Sequence, residues 1–162
     1  MAKIVSDNLV VRIAKKGKEK IIDLGKLFND NPNRVISVMG TVNEDGSPNT
    51  APISLFYAPE DKTIIAGMVK TSQTVANIKR DGRLIIEVLY EGDIGFGILG
   101  QGKIIKAPLD CSDATLAVKI EVSGVKRDTS PAQIIKSGPK STLRSEKAGE
   151  YEIAVLSEIS KI

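Results

Sequence analysis

The sequence predicts a mainly β domain, a small antiparallel barrel of six or seven strands with a few short helices. Three observations predict it. Between Val35 and Tyr90, apolar residues alternate with polar ones and break at tight turns rich in Gly, Pro, Asn and Asp. One stretch in that region, Thr74–Asp81, has helical spacing instead, and it falls between the third and fourth strands. The fifth strand carries glycines at 95, 97, 100 and 102, a density that suits the sharp bends of a closed sheet or, alternatively, close approach to a flat ligand. Closure removes exposed strand edges, so many short strands favour a barrel.

The elements follow in order. Residues 1–33 read as an N-terminal helical leader, with Ile21, Leu24, Leu27 and Phe28 on one stripe and Asn29-Asp30-Asn31-Pro32 as its stop. Lys15-Lys16-Gly17-Lys18 reads as a solvated loop. From Arg34 the period changes to two. Val35–Val42 is a strand, and Asn43-Glu44-Asp45-Gly46-Ser47-Pro48 a hairpin loop with Gly46 able to take positive φ. Thr50–Tyr57 and Thr63–Val69 are the next two strands. Val75 and Ile78 share the inner face of the helix Thr74–Asp81, and Gly82 ends it. Strands Arg83–Tyr90 and Ile98–Lys106 follow, then a half-buried strand in which Leu116, Val118, Ile120 and Val122 alternate with polar or small residues. Residues 126–150 form a long loop with six Lys/Arg against three acids, and a short helix near Pro131–Lys136. Tyr151–Leu156 is expected to close the sheet as its last strand. No internal repeat or linker divides the chain, so one domain is expected over 1–162.

Composition excludes several chemistries. The chain has 162 residues, no histidine and one cysteine, Cys111. Ser-His-Asp triads, Cys-His pairs, histidine-ligated zinc or haem and an intramolecular disulfide are thereby removed. A lone thiol fits a reducing cytoplasm, and Cys111 is expected to be structural or incidental. The N-terminus lacks the apolar run of a signal peptide, and no stretch is apolar enough to span a membrane. A net charge of +3, with three Phe, three Tyr and no Trp, gives little basis for nucleic-acid binding.

The stretch with the most chemical content is Thr63–Arg80, an apolar strand, the polar elbow Lys70-Thr71-Ser72-Gln73-Thr74 and the helix. Free N–H groups of a first helical turn and the helix dipole favour an anion there. Thr71 and Ser72 also suit a plain N-cap. Pro52 marks a bulge or sheet edge, because it cannot donate to a ladder.

This succession resembles the pyridoxamine 5'-phosphate oxidase-like family, the FMN-binding split barrels. The residues that carry the resemblance are the strand Val35–Val42, the turn Asp45-Gly46-Ser47-Pro48 and Ala51-Pro52-Ile53-Ser54 after it. Next come the strand ending at Lys70, Thr71–Ile78 leading into Arg83-Leu84-Ile85, and Gly100-Gln101-Gly102-Lys103. Residues 34–107 are covered. The resemblance implies a split β-barrel of Greek-key type and a homodimer with FMN at its interface. It places Ala51, Pro52, Ile53 and Ser54 beside the isoalloxazine, lined also by Ala66, Gly67 and Met68. Lys70, Thr71, Ser72 and Thr74 would hold the phosphate, with Asn77 and Gln101 as further candidates. A deazaflavin is the less favoured alternative cofactor.

The departures from that family are specific. Gln73-Thr74 stands where true oxidases place an Arg-Lys pair, and Ala51 where they have an arginine. The histidine that helps seize their substrate has no counterpart. Pyridoxamine-phosphate oxidase activity is therefore not expected, nor is histidine-ligated haem. The expected function is a dimeric FMN-dependent oxidoreductase acting on a small molecule, with a non-catalytic flavin-binding or cofactor-less barrel as the alternative.

Overall fold

The computed structural model describes residues 4–15, 17–31 and 35–162, with the backbone alone at position 15. The readings that involved residues 1–3, Lys16, Pro32 and Arg34 lie outside the described residues. In chain order the elements are β1 (Val5–Ser6), β2 (Val10–Lys15), β3 (Lys18–Asp23), α1 (Leu24–Asp30), β4 (Ser37–Val42), β5 (Pro48–Ile53) and β6 (Phe56–Glu60). They continue as β7 (Thr63–Val69), α2 (Gln73–Arg80), β8 (Arg83–Tyr90), β9 (Ile94–Lys106), β10 (Thr115–Arg127) and α3 (Glu146–Ile159).

One antiparallel sheet runs in the order β5-β4-β8-β9-β10-β7-β6, with β1 added beside β10. Its two ends, β5 and β6, follow one another in the chain across Ser54 and Leu55, yet they do not pair. The sheet therefore wraps round a single core and stops short of closure: a split barrel, mainly β as the sequence predicts. The core follows from the pleat, since alternate residues face one side. Met39, Ile64, Met68, Ile86, Ile98, Val118 and Ile120 all lie within it and are almost fully buried.

The glycine-dense strand serves close packing. A Cβ at Gly100 would lie 2.8 Å from both the Glu121 carbonyl oxygen and Ile120 Cγ2, too near for any side chain. Gly46, with φ 83°, turns the β4–β5 hairpin as expected.

The N-terminal segment corrects the helical leader. It is a two-stranded hairpin, β2 with β3, followed by the short helix α1. Val11, Ile13 and Ile22 alternate inward, so the period is two up to Asp23, and Ile21 is 57% exposed instead of joining a helical stripe. Asp23 then caps α1, its carboxylate accepting from Lys26 N–H at 2.8 Å. Phe28 packs against Phe56 with ring centroids 4.9 Å apart, fixing α1 to the barrel.

Three further expectations change. The single strand Thr50–Tyr57 is two strands broken at Ser54-Leu55, where the chain crosses the split. Residues 131–136 contain no helix, and β10 and α3 shorten the long loop to residues 128–145. The closing strand Tyr151–Leu156 is instead part of α3. Val155 and Ile159, four residues apart on one helical face, are both fully buried against Leu55, Ile65, Leu109 and Ala117 on the outside of the sheet. Ser145 caps the helix by accepting from Ala148 N–H. Glu158 locks its other end, accepting the amides of Asp110 and Cys111 and an ion pair from Lys106 at 2.8 Å. Those contacts hold the Glu158 carboxyl at a pKa of about 2, the Lys106 ammonium being the main cause. Among the described residues no helix is long and apolar enough to cross a membrane.

Candidate functional site

The elbow between β7 and α2 is built from its backbone. Lys70 N–H donates to the Ala114 carbonyl at 2.9 Å and Ser72 N–H to the Val69 carbonyl at 3.1 Å, so the chain leaves β7 in a fixed turn. Ser72 is the N-cap, its hydroxyl accepting from Val75 N–H at 3.2 Å. The amides of Thr71, Gln73 and Thr74 have no partner among the described residues. No acid stands in the first turn of α2, and its basic residues, Lys79 and Arg80, lie in the last. Lys70 and Thr71 are exposed beside those amides. The elbow is thus an open set of donors with one adjacent cation, which fits a phosphate.

Thr74 and Asn77 face the other way. Both are nearly fully buried. Asn77 Nδ2 donates to Thr41 Oγ1 at 3.0 Å and Asn43 Oδ1 at 2.9 Å, and Asn49 Nδ2 donates to Thr41 Oγ1 and Thr74 Oγ1, each at 3.1 Å. Gln73 Nε2 donates to Asn77 Oδ1 at 2.9 Å. This amide–hydroxyl network clamps α2 to the β4–β5 hairpin, a positioning role that residue type alone does not reveal. Gln101 is likewise engaged, Nε2 donating to the Asp81 carbonyl at the end of α2 at 2.8 Å.

The residues expected along a flavin ring separate into two groups. Ala66 and Met68 point into the barrel core at 0% and 3% exposure. Gly67 faces outward under α3, where an added Cβ would lie 2.5 Å from Val155 Cγ1. These three therefore offer no side chain to a surface ligand in this chain. Pro52, Ile53 and Ser54 do reach an opening, while Ala51 precedes it on β5 and does not line it. With Ile36, residues 52–54 form one wall of a groove of about 790 Å³. Leu143 and Arg144, then Glu152 and Ile153 on α3, form the opposite wall. Because β5 pairs only with β4, its outer edge runs unpaired from Asn49, against the start of α2, to the groove. That run is five residues, or roughly 17 Å of strand.

The second wall is absent from the sequence reading because Tyr151–Leu156 reads as a strand. A detectable signal was present: Val155 and Ile159 at helical spacing behind a serine cap. Glu152 is the one acidic side chain in the groove, and partial burial raises its pKa. Among the described residues no three His, Cys, Asp or Glu side chains gather as a metal site would require.

The outer face of β4, β8 and β9 is apolar and open. Val38, Leu89 and Leu99 are each about two-fifths exposed, and Ile85 lies between them. Glu87 sits in this face, half-buried, near Lys126 and Asp128, which form an ion pair. Burial first, then the Asp128 carboxylate, raises its pKa to about 7.

No family model matches the chain, and no curated protein matches it. Solved structures do. An FMN-binding protein from Syntrophomonas wolfei aligns at 19% identity with a TM-score of 0.52, covering 74% of this chain and 85% of that one. A Clostridium acetobutylicum protein of the pyridoxinephosphate oxidase family, related to general stress protein 26, aligns at 16% identity with a TM-score of 0.50, covering 63% and 84%. An F420 reductase aligns at 12% identity with a TM-score of 0.50, covering 62% and 94%. At these identities the likeness establishes the fold, the FMN-binding split barrel, in agreement with the resemblance read from residues 34–107.

Proposed function

We propose that the protein binds a flavin nucleotide, with the phosphate on the elbow of residues 70–74 and the ring along the free edge of β5. FMN is the first choice, and a deazaflavin is the alternative, since an F420 reductase shares the fold. The observation that carries the proposal is the set of unpartnered amides at Thr71, Gln73 and Thr74 beside Lys70, joined by β5 to the groove at Pro52–Ser54. Lys70, Thr71 and the amides would hold the phosphate, while Thr74 and Asn77 hold α2 in place from behind. A bound flavin supplies hydride or single-electron transfer. The chain binds and orients the ring, and the groove admits a small acceptor. An oxidoreductase acting on a small molecule is the function this arrangement suits, and pyridoxamine-phosphate oxidation is not.

A homodimer belongs to the same proposal. The open apolar face of Val38, Ile85 and Leu99 supports it, because a second copy laid there removes that surface from water. A non-catalytic flavin carrier is the second reading. It is favoured by one feature, the presence of Gln73 and Thr74 where a strong phosphate site holds cations, with Lys70 left alone.

An absorbance scan of the purified protein, before and after adding FMN and desalting, tests the binding. Retained flavin bands support it, and a protein that stays colourless contradicts it. Oxidation of a reduced nicotinamide by the flavin-loaded protein then separates enzyme from carrier.

A further inference from the structure

A second cleft lies at the opposite end of β10 from the elbow, between the N-terminal hairpin and the β8–β9 turn. It encloses about 520 Å³ and is lined by Ile13, Lys18, Lys20, Ile22, Asp93 and Arg127, with Glu19 at its lip. It continues past Asp93 and Arg127 along residues 130–134 as a further space of about 510 Å³.

Arg127 is the unusual member. Its side chain is 20% exposed, and its one ionic partner among the described residues, Asp93, is 3.5 Å away, at the limit of a hydrogen bond. Its Nε is buried with no partner among the described residues, and so is the hydroxyl of Thr129 two residues on. Asp93 cannot answer fully. Its φ is 62°, and its Oδ1 already accepts from Ile135 N–H at 3.2 Å. A guanidinium carries five donors, and taking it out of water is costly unless they are met. Lys20 stands at the rim with its ammonium on the Gly92 carbonyl at 2.8 Å. Three cations against two acids leave the lining net positive, while Ile13 and Ile22 give it an apolar floor.

We propose that this cleft binds the phosphate or carboxylate head of a small amphipathic molecule, with Arg127 as its main ligand, Lys20 as its second cation and Ile13 and Ile22 against its apolar body. The site is separate from the elbow, so it stands or falls independently of flavin binding. An oxyanion there completes the donor set of Arg127, which Asp93 leaves open.

Isothermal titration of the full chain tests this with inorganic phosphate in one arm and hexanoate against acetate in another. Phosphate is expected to bind wild type and Lys70→Gln at the cleft, and Arg127→Gln about tenfold or more weakly. A gain of hexanoate over acetate assigns a carboxylate with an apolar tail. Equal affinities for these two contradict the apolar contact assigned to Ile13 and Ile22 and overturn the amphipathic ligand. Should Arg127→Gln fail to fold, Lys20→Gln takes its place, with about threefold weaker binding expected. The proposal is overturned if neither phosphate nor hexanoate binds wild type at millimolar concentration. Phosphate binding that Lys70→Gln abolishes, or that the cleft variant leaves unchanged, overturns it equally.

Discussion

At the scale of single residues, two carboxyls set opposite pH dependences. Glu87 has a folded pKa of about 7 against an ordinary 4.5, raised by burial and the nearby Asp128. Its neutral form is the one the fold favours, so its contribution is full below 4.5 and is lost as pH rises through 7. Glu158 is the reverse. Its pKa is lowered from 4.5 to about 2, so its contribution is full above 4.5 and is lost as pH falls through 2. Urea unfolding across pH is predicted to show wild type losing more stability between 4.5 and 7 than Glu87→Gln does. An identical profile for the two would refute the role given to Glu87. Cys111 belongs to this scale too. It is exposed, but desolvation of its sulfur and the neighbouring Glu158 raise its pKa, so slow alkylation by a thiol reagent at neutral pH is the expected result.

At the scale of elements, α2 and α3 do different work. The polar network of Thr41, Asn43, Asn49, Thr74 and Asn77 ties α2 to the β4–β5 hairpin. Asn77→Ala is predicted to cost about 1–3 kcal/mol by leaving buried partners unmet. It should also weaken flavin binding although the Asn77 side chain is turned to the β4–β5 hairpin, because the amides of the elbow lose their fixed position. Denaturation and FMN titration of the same variant check both halves. Helix α3 is held by packing, and Ile159→Ala is expected to cost about 2–5 kcal/mol in chemical unfolding. What was legible in the sequence follows the same division. Helix α2 announced itself through Ser72, Val75, Ile78 and Gly82, all local signals. Helix α3 was masked, because the run Ile153-Ala154-Val155-Leu156 satisfies a strand pattern as well and outweighs the fainter signal of Ser145 with Val155 and Ile159; contact with Ile65 and Ala117 fixes the helix. The hairpin β2–β3 was lost for a related reason: Ile21 and Leu24 are three apart, yet a strand ends between them at Asp23.

At the scale of the whole molecule, the barrel was readable because its strands and turns repeat a simple period, while the site was readable only in part. The elbow is contiguous in sequence, so Lys70, Thr71 and Ser72 could be picked out. The groove is assembled from residues about 90 positions apart, Pro52–Ser54 and Leu143–Ile153, and no local pattern links them. The resemblance alone places Ala66 and Met68 beside the ring, and the pleat turns their side chains into the core. Flavin binding therefore rests on the elbow, and the direct test is to compare FMN with riboflavin, which has the same ring and lacks the phosphate. In parallel titrations followed by flavin fluorescence, FMN is predicted to bind about a hundredfold more tightly. Lys70→Gln should remove about tenfold of that difference and leave riboflavin unaffected. Equal affinity for the two flavins would contradict the phosphate site and with it the central claim.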